Sequence, residues 1–275
     1  VNLMLNTLQE VGIFNQESFE KALSHQKLKP LKLSLYYLQE AGMLTQENFE
    51  HVLSEQEITP IALSLRYFQE AGMLTQENFE QALLCQDKNI CTILKFIQEG
   101  GMLTQENFEH VRQHHHPSYI VLALNSLKKA EILTQENFIG VFSHPEPKAV
   151  TVMLGLMQVV GILNQQNLEG VLAHPEPMYI GVSIIFIEGV RLLTQQNFES
   201  VLCQDATDIE RFLSSLHKVE ILTQKNFEHV RSHPDLKNIS HILKFIQKAE
   251  ILTQENFEHV LSEQEITPIA LSLRY

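Results

Sequence analysis

The stretch LTQENFEHVLSEQEITPIALSLRY occupies Leu44–Tyr67 and returns, identical, as Leu252–Tyr275. Its first six residues recur, with small changes, along the whole chain. The final position of that anchor falls at Phe19, Phe49, Phe79, Phe108, Phe138, Leu168, Phe198, Phe227 and Phe257, always 29 or 30 residues apart. A fixed period of this length is the mark of a repeat architecture and takes precedence over any local reading.

Each unit reads as two helices. In the second unit Leu31, Ser34, Leu35, Leu38 and Ala41 keep the i, i+3, i+4, i+7 rhythm of an amphipathic helix, here called helix A. Gly42 supplies a left-handed stop. Thr45 then caps helix B, Glu47 sits in the first turn where the dipole favours an anion, and Leu44 with Phe49 forms a hydrophobic staple. Thr or Asn takes the cap position in every unit, Asn15 and Asn164 included. The recurring polar letters therefore read as a helix-start signal. SEQEITP reads as the return loop, with Pro60 just ahead of the next helix A.

One such hairpin cannot bury its apolar face alone, whereas stacked neighbours can. The expected fold is all-α: an α-solenoid of about nine two-helix repeats of 29–30 residues plus a partial tenth. Units begin near Val1, Leu31, Ile61, Ile90, Ile120, Val150, Ile180, Ile209, Ile239 and Ile269, so the 275 residues form one array, expected to be a fragment of a longer chain. The array would stop inside helix A of unit ten. Its uncovered ends lead to an expectation of head-to-tail self-association.

The unit LTQENFEHVLSEQEITPIALSLRYFQEAGM resembles the roughly 30-residue helical repeats of effector-like proteins from intracellular bacteria of the Legionella type. That resemblance implies an interaction module working in the cytoplasm of a host cell and implies no catalytic residue. The units are also similar, less closely, to transcription-activator-like effector repeats, which begin L-T-x-E and pair two helices. The glycine-rich base-reading loop of that family is replaced here by SEQEITP, SHPEPKA and CQDATD.

Composition narrows the function classes. The net charge of -13 repels nucleic acid and anionic lipid unless cations gather on one face. No apolar run reaches the length of a membrane span. Cys85, Cys91 and Cys203 form no framework, which fits a reducing, cytoplasmic compartment. No serine lies in a nucleophile-elbow context, and there is no phosphate-binding glycine loop. An active site repeated nine times makes no chemical sense. The chain is expected to be neither an enzyme nor a cofactor binder.

Stacking turns each repeat position into a column. The first and fifth positions of helix A stay aliphatic and read as core. The sixth and seventh vary, and they hold the candidate partner-binding residues: Tyr36, Tyr37, Arg66, Tyr67, Lys95, Phe96, Ile185, Phe186, Lys244 and Phe245. Tyr and Arg are enriched where interfaces concentrate their binding energy. For the seventh column, whose aromatics sit beside the core positions, packing between repeats is the stronger of the two readings. A second column places His25, His114, His144, His174 and His233 at helix B ends, where an imidazole meets free carbonyls and the dipole. His110 and His114 share a helix face and form a weak metal candidate without further ligands. Near the end of helix A, Glu10, Glu40, Glu70 and Glu99 give way to Lys129, Lys218 and Lys248. Wherever Glu131, Glu220 or Glu250 replaces the stop glycine, the residue two before it is one of these lysines.

The expected role is a protein-interaction scaffold for a protein or peptide. A nucleic-acid-binding array would need a continuous basic stripe, and a regulatory or spacer arm would serve an enzyme outside these residues.

Overall fold

A computed structural model shows a chain built of helices alone among its described residues, which are 2–84, 87–113 and 115–262. The helices alternate as A and B. The first three repeats hold α1 (Asn2–Glu10), α2 (Gln16–Ser24), α3 (Leu28–Glu40), α4 (Gln46–Ser54), α5 (Ile58–Glu70) and α6 (Gln76–Leu84). The next three hold α7 (Lys88–Glu99), α8 (Gln105–Gln113), α9 (Pro117–Lys129), α10 (Gln135–Ser143), α11 (Pro147–Val160) and α12 (Gln165–Ala173). The last three hold α13 (Pro177–Gly189), α14 (Gln195–Leu202), α15 (Ala206–Lys218), α16 (Gln224–Arg231), α17 (Leu236–Lys248) and α18 (Gln254–Ser262). This is the expected α-solenoid of two-helix repeats. The tenth unit, on which the self-association expectation rests, lies outside the described residues.

The chain divides into two compact units, residues 1–124 with 134–136, and residues 125–133 with 137 onward. In the first, α1 packs on α3, α3 on α5 and α5 on α7; in the second, α11 packs on α13, α13 on α15 and α15 on α17. Helix A therefore forms a layer in each unit. Helix B closes the core behind it with the anchor side chains: Phe49, Phe79 and Phe108 in the first unit and Leu168, Phe198, Phe227 and Phe257 in the second are all fully buried. Phe108 meets Phe68 of α5 edge to face, with centroids 4.7 Å apart.

The local signals act where the sequence places them. Thr45 has extended backbone and its Oγ1 accepts the N–H of Asn48 at 3.1 Å, a side-chain cap. Gly42 has φ +68, donates to the carbonyl of Gln39, and is followed by Met43 donating to Leu38, the paired bonds of a Schellman stop. Glu131, Arg191, Glu220 and Glu250 occupy the same position with φ between 58 and 60 and so carry the left-handed strain that glycine avoids.

The start of helix A differs from the expectation. Helix α5 begins at Ile58, three residues ahead of Ile61, so Pro60 lies inside its first turn instead of before it. The first turn has N–H groups without intrahelical partners, so a proline there costs no hydrogen bond. Ile58 is buried there, as are Ala206 and Leu236 at the matching position, while Leu28 at the start of α3 is exposed.

Candidate interaction surface

The motif's glutamine and asparagine do more than start a helix. Asn48 donates from Nδ2 to the carbonyl of Met43 in its own repeat and to Oε1 of Gln76 in the next, both at 2.8 Å. Gln76 answers from Nε2 to Oδ1 of Asn48 at 3.1 Å and to Glu80 at 3.1 Å. The same exchange joins Asn107 to Gln135, Asn137 to Gln165, Asn167 to Gln195, Asn197 to Gln224 and Asn226 to Gln254. Asn78 donates likewise to Gln105, but its own buried Oδ1 has no partner. Each asparagine must point Nδ2 at a backbone carbonyl, which fixes the amide orientation and the roles of its glutamine partner. The ladder runs along the N-terminal edge of helix B. It holds the recurring polar groups in hydrogen bonds between repeats, and reading them as caps alone missed it.

The signal that could have revealed it is the pattern of substitution within the motif. The residue between Gln and Asn changes freely to Gln166, Gln196 and Lys225, while Gln and Asn themselves persist except at Ser18. Ser18 bonds instead to Asn15 and to the carbonyl of Ile13, satisfying its own repeat.

Helix A presents the variable columns. In the first unit Tyr36 is exposed and packs edge to face on half-buried Tyr37, with centroids 5.3 Å apart. Arg66 is exposed, lies 6.0 Å from the ring centre of Tyr67 and is held by Glu70 at 2.7 Å. That hydrogen bond raises the pKa of the guanidinium further. Burial pushes the hydroxyls of Tyr37 and Tyr67 up, while the charge of Arg66 opposes the shift in both. Tyr36, Tyr37, Arg66 and Tyr67 thus form one cluster across α3 and α5. Lys95 continues the exposed column on α7, where it approaches Glu99 at 3.8 Å, and Phe96 beside it is half-buried.

In the second unit Ile185 is exposed on α13 and Phe186 lies against His217 of α15, with ring centroids 5.1 Å apart. Lys244 and Phe245 are both exposed on α17. Among the described residues the sixth column faces outward or partly outward in every repeat. The seventh varies: Tyr67, Ser126 and Ser215 are buried between repeats, while Phe245 is 45% exposed.

The histidine column works differently from the expectation. Instead of giving protons to helix carbonyls, the ring accepts one from the loop. Nδ1 of His25, His144, His174 and His233 takes the N–H of the residue two further on, at 3.0–3.1 Å. Burial lowers the pKa of His144 and His174, outweighing Glu146 and Glu176. His110 is exposed, and its candidate partner His114 lies outside the described residues. Among the described residues no group of three His, Cys, Asp or Glu side chains is placed to hold a metal. Cys91 is buried, donating from Sγ to the carbonyl of Pro60 at 3.3 Å; Cys203 is exposed, and Cys85 lies outside the described residues.

Among the described residues no helix is long and apolar enough to cross a membrane. Comparison with known protein families finds none that matches this chain, and comparison with curated proteins finds no significant match.

Proposed function

We propose that the chain is a non-enzymatic protein-interaction scaffold that holds a protein or peptide partner along the outward columns of helix A. One observation carries this reading. The ladder and the aromatic core repeat almost unchanged, whereas the outward positions Tyr36, Arg66, Lys95, Ile185 and Lys244 differ in chemistry from one repeat to the next. A repeated frame with a variable face suits recognition of a specific partner, and the exposed Tyr and Arg cluster on α3 and α5 has the side chains that dominate interfaces. Most of the recurring Asn and Gln side chains are engaged in hydrogen bonds between repeats, which supports a structural role for the motif. The resemblance of the LTQENF units to effector-like repeats extends the proposal to a partner met in a host cytoplasm.

The test is selection of binders from a random peptide display library against the full chain, followed by hydrogen exchange on the bound complexes. Protection should gather on helix A, at and beside the sixth column. Protection confined to helix B or to the loops would contradict the reading.

A further inference from the structure

The outward face of helix A in the second unit changes character from helix to helix. On α11 it shows Val152, Gly155 and Val159, with exposed Lys148 one turn ahead of them, and on α13 Met178, Val182 and Ile185, spaced i, i+4, i+7 along one side, with Gly189 at the position of Val159. Val159, Met178 and Ile185 are exposed, as is the adjoining Tyr179. Helix α13 is therefore apolar on its outer side as well as its inner one, which is unusual for a helix that meets water. On α15 the positions matching Val152, Gly155 and Val159 are Arg211, Ser214 and Lys218, and on α17 they are His241, Lys244 and Lys248; at the position of Met178, α15 has Thr207 and α17 has exposed Lys237.

These helices lie side by side in the order α11, α13, α15, α17. The apolar and basic halves are joined by Phe186 on His217, and Arg211 reaches His241 at 3.5 Å. Arg211 is partly neutralised by Asp208 at 3.3 Å. Lys218, Lys237, Lys244 and Lys248 are exposed and have no carboxylate in ion-pair range among the described residues. The acids nearby are half-buried Glu188 and Glu210 and, at the helix ends, Glu220 and Glu250.

We propose that this face docks an amphipathic, acidic protein segment, its apolar side on α11 and α13 and its carboxylates against the lysines of α15 and α17. This deepens the scaffold reading above and rests on it. Laid along the seam between α13 and α15, which are 13 residues long and so about 20 Å each, a helical segment of about 13 residues sets its apolar flank toward α13 and its acidic flank toward α15. At long range the net charge of -13 repels such a segment. At physiological salt, however, fields decay over about 8 Å, so lysines in contact outweigh carboxylates elsewhere on the chain. Val159, Met178 and Ile185 add exposed apolar surface that a phosphate backbone would leave uncovered, so the same face suits a protein segment better than a nucleic acid.

The experiment uses the full chain and fluorescence anisotropy with three labelled peptides of about 16 residues. One is a Leu/Glu amphipathic helix, one its Leu/Lys counterpart, and one the acidic peptide with Leu replaced by Ser; phosphatidylserine vesicles form a fourth arm. The acidic amphipathic peptide should bind best. Ile185→Glu should weaken it by at least about tenfold, and Lys244→Glu with Lys248→Glu should weaken it and flatten its salt dependence. Both variants alter exposed side chains, so an unchanged thermal melt shows that they fold. Preference for the basic peptide with the same Ile185 sensitivity would overturn the acidic partner while leaving the scaffold reading intact. Vesicle binding lost in the lysine variant, without peptide binding, would overturn it in favour of a membrane. Binding indifferent to both variants, or no binding by any probe, would remove this face as a docking site, and the library selection would then decide the scaffold reading separately.

Discussion

Asn167 and Gln195 exchange two hydrogen bonds across neighbouring repeats, Nδ2 to Oε1 at 2.7 Å and Nε2 to Oδ1 at 2.9 Å, while Asn167 also donates to the carbonyl of Ile162 at 2.6 Å. The asparagine is almost fully buried, so its partners cannot turn to water if it is removed. Asn167→Ala should therefore cost about 1–3 kcal/mol. Because repeats couple chiefly to their neighbours, hydrogen exchange should rise around α12 and α14 and stay unchanged around α18. An unaltered exchange pattern at α12 would show that the ladder is incidental.

The left-handed stop of helix A separates strain from sequence preference. Glu220 holds φ 60, where an L-residue costs roughly 1–2 kcal/mol. Glycine relieves this but gives the unfolded chain more freedom, worth about 0.5–1 kcal/mol. Glu220→Gly should thus stabilise by about 0.5–1 kcal/mol, read from the shift in denaturation midpoint. A lowered midpoint would mean that Glu220 makes a contact worth more than its strain.

Acid should loosen the connections between helices. His144 and His174 titrate below their ordinary value of 6.5 because burial disfavours the imidazolium. In the pH range just below 6.5 the unfolded chain binds more protons at these sites than the folded one, so stability falls as pH falls. The structural cause is that a protonated Nδ1 cannot accept the N–H of Glu146 or Glu176. Melting temperature should therefore drop between pH 7 and pH 5, and the double change His144→Asn with His174→Asn, which keeps an acceptor near Nδ1, should reduce that slope. An unchanged slope would place the acid sensitivity elsewhere.

Phe108 tests the core. It is buried against Phe68, and Phe108→Ala should cost about 3–5 kcal/mol. Loss of exchange protection should centre on α7 and α8 and spare α2. Even loss across the first unit would mean that it unfolds as one block.

The fold was legible in the sequence because its two loudest signals are local: the aromatic anchor at a fixed period, and the Thr cap and Gly stop that bracket each turn. The start of helix A was not, because Pro60 reads as punctuation and only the buried seat of Ile58 shows that the helix runs through it. The pairing of Asn48 with Gln76 was also hidden, since it joins residues 28 apart whose cap geometry already seemed a sufficient reason for both. Along the candidate surface, the outward direction of Arg66 and Ile185 followed from helical spacing. The burial of Tyr67 followed from its place beside the core positions, whereas the exposure of Phe245 in the same column did not.

The central claim is that the ladder edge is structural and the helix A face is recognitive. Its most direct measurement places a photo-cross-linking amino acid at Arg66, Lys95, Ile185 and Lys244, and separately at the ladder-edge positions Glu80, Glu109 and Glu199. Each variant is then irradiated with a peptide selected for binding the full chain. Adducts from one or more helix A positions, with none from the ladder edge, are the predicted result. Adducts from the ladder edge alone would contradict it.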